Sequence, residues 1–115
     1  MHEMSYVVRL VDQALDIMDK EQAGKVTRLF VSVGEMTGVL PEYLYKYYPV
    51  AVKGTELEGT ELVVKTVEAQ VECAGCGSIY RPTRENKYLC PVCGDGHGRV
   101  TAGRDVMLER VEVTD

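Results

Sequence analysis

The sequence predicts an α+β fold interrupted by an insertion, and three observations carry that prediction. Apolar residues recur at helical spacing near the start of the chain. Three later stretches alternate apolar and polar side chains as strands do. The aliphatic pattern stops at Cys73 and resumes with Val106 and Leu108, so the last strand is expected to rejoin the first unit's sheet. The expected division is therefore residues 1–72, an insertion over 73–99, and a returning strand within 100–115.

The elements follow in order. Met4, Val7 or Val8, Val11, Ala14 or Leu15, and Met18 form one face of a helix over about 4–22, closed by Gly24. Arg9, Asp12, Gln13, Asp16 and Asp19 form its polar face. "KVTRLFVSVGE" reads as a strand, with Leu29, Val31 and Val33 alternating against Arg28, Phe30 and Ser32. Pro41 suits a first helical turn and starts a second helix over about 41–52. Pro49 sits inside it, where proline removes a hydrogen bond and kinks the backbone. "TELVVKTVEAQVE" reads as one second strand. Val63, Val67, Ala69 and Val71 share one face, and Leu62 and Val64 the other. "RDVMLERVEV" is the third strand.

Composition narrows the function. The chain has 115 residues, 45% of them hydrophobic, which suits a folded protein. Its net charge of −5 argues against wrapping nucleic acid. No run of 18 apolar residues exists to span a membrane, and Arg9, Asp12 and Asp16 interrupt any signal-peptide core. The expected place is the cytoplasm, where thiols stay reduced, so the four cysteines read as metal ligands rather than disulfides.

Those cysteines form two knuckles, Cys73-x2-Cys76 and Cys90-x2-Cys93, with 13 residues between them. Two intervening residues let both sulfurs of a pair reach one ion about 2.3 Å away. Gly77 and Gly94 follow the second cysteine of each pair and permit a left-handed turn. A tetrahedral four-thiolate site follows, with structural Zn(II) as the expected ion. A rubredoxin-like iron centre for electron transfer is a rival reading, but only Tyr80 and Tyr88 could pack around such an ion here. A nucleic-acid-binding zinc ribbon is another. Arg81, Arg84, Lys87 and Arg99 face Glu85 and Asp95, and the loaded site's negative charge then leaves the segment about neutral, poor for binding phosphates.

The chain begins Met1-His2-Glu3. Aminopeptidase trims methionine only before small residues, so a free amine is expected ahead of His2. That amine, the His2 amide and His2 Nδ1 close five- and six-membered chelate rings around one ion. Ionising an amide favours Ni(II) or Cu(II) in a square plane, not Zn(II). The fourth donor stays open among the Glu3 carboxylate, His97 and a partner's residue.

Met1-His2-Glu3 opening an amphipathic helix resembles the HypA/HybF family of hydrogenase nickel-insertion accessory proteins. So do "VGEMTGVLPEYL", "KGTELEGTEL", the two knuckles and "AGRDVMLERVEV", in the family's order. The resemblance implies two helices packed on a small mixed three-stranded sheet with an inserted zinc-ribbon domain. It implies nickel on His2 with Met1 and Glu3 contributing, and structural zinc on Cys73, Cys76, Cys90 and Cys93. It implies a metallochaperone rather than an enzyme, delivering Ni(II) to the NiFe hydrogenase large-subunit precursor alongside a HypB-type GTPase, with room for a homodimer. Glu35 and Glu42 read as solvated or structural, and the tyrosines at 43, 45, 47 and 48 as packing.

Overall fold

Helix α1 spans Glu3–Glu21 and buries Val7, Leu10, Val11, Ala14 and Met18. The spacing fixes Val7 inside and leaves Val8 outside. The computed structural model describes residues 3–21 and 24–114. Strand β1 spans Lys25–Gly34. Leu29, Val31 and Val33 are buried as alternation requires, and so is Val26, three residues before Leu29. The register slips between Val26 and Arg28, and this bulge returns Val26 to the core side. A short 3-10 turn, Glu35–Thr37, follows.

Helix α2 spans Pro41–Val52, with proline at its start and Pro49 inside. The proline is tolerated because it and Tyr45, whose carbonyl it would have bonded, both lie on the exposed face. Leu44, Tyr48 and Val52 form the buried face. Of the four clustered tyrosines, only Tyr48 is in the core. Tyr45 works at the rim, where its hydroxyl accepts a 2.8 Å hydrogen bond from the Val64 amide.

The stretch expected as one second strand is two. Strand β2 spans Glu61–Val67 and β3 spans Gln70–Cys73. The chain breaks at Glu68 and Ala69, where the Ala69 amide leaves any ladder and donates to Glu35 Oε1 at 3.0 Å. The face shared by Val63, Val67 and Val71 is thereby split between two sheets. Strands β4 (Ile79–Tyr80) and β5 (Gly98–Ala102) flank β3 in order β4-β3-β5. Strand β6, Val106–Thr114, returns to the first sheet, whose order is β2-β1-β6. There β1 pairs in parallel with β2 and antiparallel with β6. The parallel pair needs a crossover, which α2 supplies. The first sheet is thus the expected small mixed, three-stranded one, with both helices contributing to its core.

The two sheets meet through close backbone packing. A Cβ on Gly34 would lie 2.3 Å from the Gly103 carbonyl carbon, and one on Gly103 would lie 2.6 Å from Ala69 Cα. The Gly34 amide donates to the Asp105 carbonyl and the Met36 amide to that of Gly103, both at 2.9 Å. Arg9 of α1 donates to the Val106 carbonyl at 3.2 Å. Helix α1 therefore begins at the end of the sheet from which the second sheet projects.

The Tyr48 side chain is buried, yet its hydroxyl makes no hydrogen bond with any described residue. Burial pushes its pKa up to about 12. Tyr48→Phe should raise stability by about 1 kcal/mol in urea denaturation, because it removes a desolvated polar group. A loss of that size would show that the hydroxyl has a partner.

Candidate metal centre

The four cysteines that sequence spacing picked out come together. One sulfur from each of Cys73, Cys76, Cys90 and Cys93 lies within 4.8 Å of the others. The Cys73–Cys93 and Cys76–Cys90 sulfurs are 3.5 and 3.6 Å apart. A tetrahedral ion about 2.3 Å from each sulfur would place them about 3.8 Å from one another. The donor set therefore fits a small tetrahedral cation, and the cluster is arranged as in a zinc site.

The two knuckles repeat one another. Cys73 N donates to the Ser78 carbonyl and Gly77 N to that of Cys73, at 2.8 and 2.9 Å. Cys90 N donates to the Asp95 carbonyl and Gly94 N to that of Cys90, at 3.0 and 2.8 Å. Gly77 and Gly94 have φ of 77° and 79°, the left-handed turn that glycine allows without strain. The Gly75 amide adds a 3.3 Å hydrogen bond to Cys73 Sγ. In each knuckle the first cysteine is buried and the second exposed.

The surroundings act oppositely on the two exposed thiols: the Asp95 backbone lowers Cys93, but hydrogen bonding with Cys73 and burial outweigh it and push that thiol up to about 12. Ser78 Oγ lies 3.3 Å from Cys76 Sγ, and hydrogen bonding from Ser78 pulls that thiol down to about 6. Thiolate is the form that binds metal. The apolar support is small: Val71, Cys73, Tyr80 and Cys90 are buried, with Val100 against them. Only one of the two tyrosines in the segment joins this core, since Tyr80 is buried and Tyr88 is 59% exposed.

Other sequence-picked residues fall around the centre or away from it. His97 lies on the rim, 90% exposed, with Nδ1 2.9 Å from Asp95 Oδ1. This contact, with the His97 amide, holds the Asp95 carboxyl below its usual range. Glu3 is the first residue of α1, where a carboxylate suits the helix N-terminus. Met1 and His2 lie outside the described residues. Glu42 stands exposed in the first turn of α2.

Glu35 has a partner that sequence reading missed. Its carboxylate pairs with Arg81 and accepts the Ala69 amide, and both hold its pKa below the usual value. Arg81 also lies 3.7 Å from Glu68. These contacts tie the 3-10 turn to the second sheet across 46 positions of sequence, a separation at which a lone glutamate gives no local signal. Asn86 was missed as well. Its side chain accepts from the Thr83 and Tyr88 amides and donates to the Arg81 carbonyl, shaping the loop between the knuckles.

Comparison with known proteins adds the wider context. A family model described as "Hydrogenase/urease nickel incorporation, metallochaperone, hypA" matches residues 1–113. A hydrogenase maturation factor HypA of Caldanaerobacter subterraneus is 38% identical over 98% of this chain and 99% of its own length. One from Archaeoglobus fulgidus is 37% identical, covering 98% of each chain. The solution structure of the Ni metallochaperone HypA from Helicobacter pylori shares the fold. Its TM-score is 0.76 at 22% identity, covering 98% of this chain and 97% of that one.

The geometry predicts that cobalt(II) titration of the reduced protein will develop the intense ligand-field and charge-transfer bands of a tetrahedral thiolate complex, saturating at one ion per chain. Cys76→Ser should weaken these bands and disperse poorly in the ribbon region by NMR. An unchanged cobalt spectrum in that variant would remove Cys76 from the site.

Proposed function

The chain belongs to the HypA family of nickel-incorporation metallochaperones, and from that premise we propose that it binds Ni(II) at its N-terminus and delivers it to the NiFe hydrogenase large-subunit precursor. What carries this reading is the extent of the likeness. The family match begins at residue 1, so the Met1-His2-Glu3 start lies inside the matched stretch. The family description names urease beside hydrogenase, and the relatives' names favour hydrogenase as the client.

Cys73, Cys76, Cys90 and Cys93 would hold Zn(II), which supplies folding free energy and stays in place. Sulfur separations near the tetrahedral edge support that assignment. Iron electron transfer fits less well, because among the described residues Tyr80 is the one aromatic that packs against the cluster. Phosphate recognition fits less well too, since Arg81 pairs with Glu35, and Arg99 lies 3.4 Å from Glu72. The proposed division is a nickel-bearing unit over 1–72, a zinc ribbon over 73–99 and a returning strand within 100–115. The return of β6 to the first sheet supports an insertion, and the second sheet that it follows takes in residues 70–72 of β3 and 100–102 of β5 as well.

Nickel is the cargo and must be both held and released. The terminal amine, the His2 amide and His2 Nδ1 make a chelate at the chain's edge, with Met1 and Glu3 contributing. A fourth donor would come from Glu3, His97 or the client. The contact of His97 Nδ1 with Asp95 leaves Nε2 as its donor. An edge chelate lets an acceptor replace donors one at a time. The protein itself performs no catalysis in this scheme, and GTP hydrolysis is assigned to a HypB-type partner in the cytoplasm. A homodimer is compatible with it. No helix among the described residues is long and apolar enough to cross a membrane.

Metal analysis of untagged protein should find one zinc per chain and no iron. His2→Ala should abolish specific nickel binding in calorimetry, yet leave zinc content unchanged and alter stability by no more than about 0.5 kcal/mol. Nickel bound as strongly by the variant as by the parent would end the terminal reading.

A sharper test leaves every side chain in place. Acetylating the Met1 amine turns it into an amide without supplying a new amine, and should weaken nickel binding as much as losing His2. Binding should also fall below neutral pH, where protons compete with the metal for imidazole, amine and amide. Equal affinity in the free-amine and acetylated proteins would show that the amine is not a ligand.

A further inference from the structure

A cleft of about 580 Å³ lies between the 3-10 turn and the ribbon, and none of the four cysteines lines it. Its floor is apolar, formed largely by Val71, Tyr80 and Val100, and its rim carries Met36, Arg84 and Tyr88. Met36 and Tyr88 are 53% and 59% exposed, so a thioether and an aromatic ring stand together on one rim. The charge in the cleft runs against that of the chain. Glu35, its one acidic lining residue, is neutralised by Arg81. Arg84 makes no ion pair with any described residue, unlike Arg81 and Arg99. A chain of net charge −5 thus keeps an uncompensated cation beside an apolar floor.

The loop carrying the rim is held in a costly conformation. Lys87 and Tyr88 have φ of 55° and 61°, the left-handed region that non-glycine residues avoid. The Asn86 carboxamide fixes this turn through the Thr83 and Tyr88 amides, both at 3.0 Å. The second left-handed residue is an exposed tyrosine on the cleft rim. Glycine would relieve the strain there but remove the ring.

We propose that this cleft docks a segment of a partner protein in which an aliphatic or aromatic side chain stands beside a carboxylate. The apolar side chain sits over Val71, Tyr80 and Val100, and the carboxylate meets the Arg84 guanidinium, a charge-assisted contact of high directional value. Nucleic acid fits poorly, because one free cation over an apolar floor neutralises too little phosphate. The inference is independent of where nickel binds, so it stands or falls separately from the terminal chelate.

The test uses the zinc-loaded full chain and a phage library of random heptapeptides. Enriched peptides should pair Asp or Glu with Leu, Ile or Phe. Synthetic copies should shift the amide signals of Met36, Val71, Tyr80 and Val100. Arg84→Glu should weaken them about tenfold or more, the scale of one hydrogen bond to a charged group. Tyr88→Gly should also weaken them, while the ribbon melts no lower than in the parent. Lys87→Gly relieves similar strain but keeps the ring, so it should bind as the parent does. The proposal is overturned if no acidic-apolar peptide is enriched, if the shifts map elsewhere, or if Arg84→Glu retains full affinity. It is also overturned if that variant instead changes the oligomeric state, which would make a second copy the occupant.

Discussion

Strand β1 must be hydrogen-bonded along both edges, and the rest of the molecule is arranged around that requirement. Its first partner, β2, follows soon after and runs parallel, so α2 is needed to carry the chain back. Its second partner, β6, arrives only after the ribbon and runs antiparallel. Between them they leave β1 with buried Val26, Leu29, Val31 and Val33 against the helices. The opposite face is covered locally, with Arg110 stacked 3.8 Å over Phe30 and the Ser32 hydroxyl donating to Glu109 at 2.6 Å. The ribbon hangs from the end of β1 at which Gly34 and Gly103 pack backbone to backbone.

The two halves solve the problem of a small chain differently. Among the described residues the first buries sixteen in one cluster, enough for an ordinary core. The second buries four, two of them cysteines, and a core of that size needs a further staple. The paired knuckles provide it by converging four sulfurs. The joint between the halves combines steric fit at Gly34, Ala69 and Gly103 with the Glu35–Arg81 pair. The ion pair is part-exposed, and such pairs contribute little on their own. The glycines therefore set the joint, and Glu35 adds direction by also capturing the Ala69 amide.

Local patterns were legible in the sequence. Val7, Val11, Ala14 and Met18 announce α1, and Leu29, Val31 and Val33 announce β1, because helix and strand periods are written within one element. The knuckles were legible because ligand spacing and glycine turns are local too. The break between β2 and β3 was not. Val67, Ala69 and Val71 keep the period of two straight through the break, and what ends the strand is a carboxylate at Glu35 and a backbone at Gly103. The helix expected over 41–52 forms in spite of Pro49, since the proline lies on the exposed face. Glu35 and Arg81 could not be matched without the fold, and the readings of Met1 and His2 rest on ligand chemistry and the family resemblance.

The insertion topology also orders events in time. During synthesis β6 emerges after the ribbon, so one edge of β1 stays open until the whole insertion has left the ribosome. The ribbon's own pairings, such as Val71 with Tyr80 and with Val100, join residues closer in sequence than Val33 and Val106. Short loops close at lower entropic cost and faster than long ones. The cysteine segment can therefore assemble while the larger sheet is still unfinished. An unpaired strand edge is also a template for misassociation. Ion supply during translation would then govern how long a nascent chain carries that hazard, making metal scarcity a problem of solubility before it is one of activity.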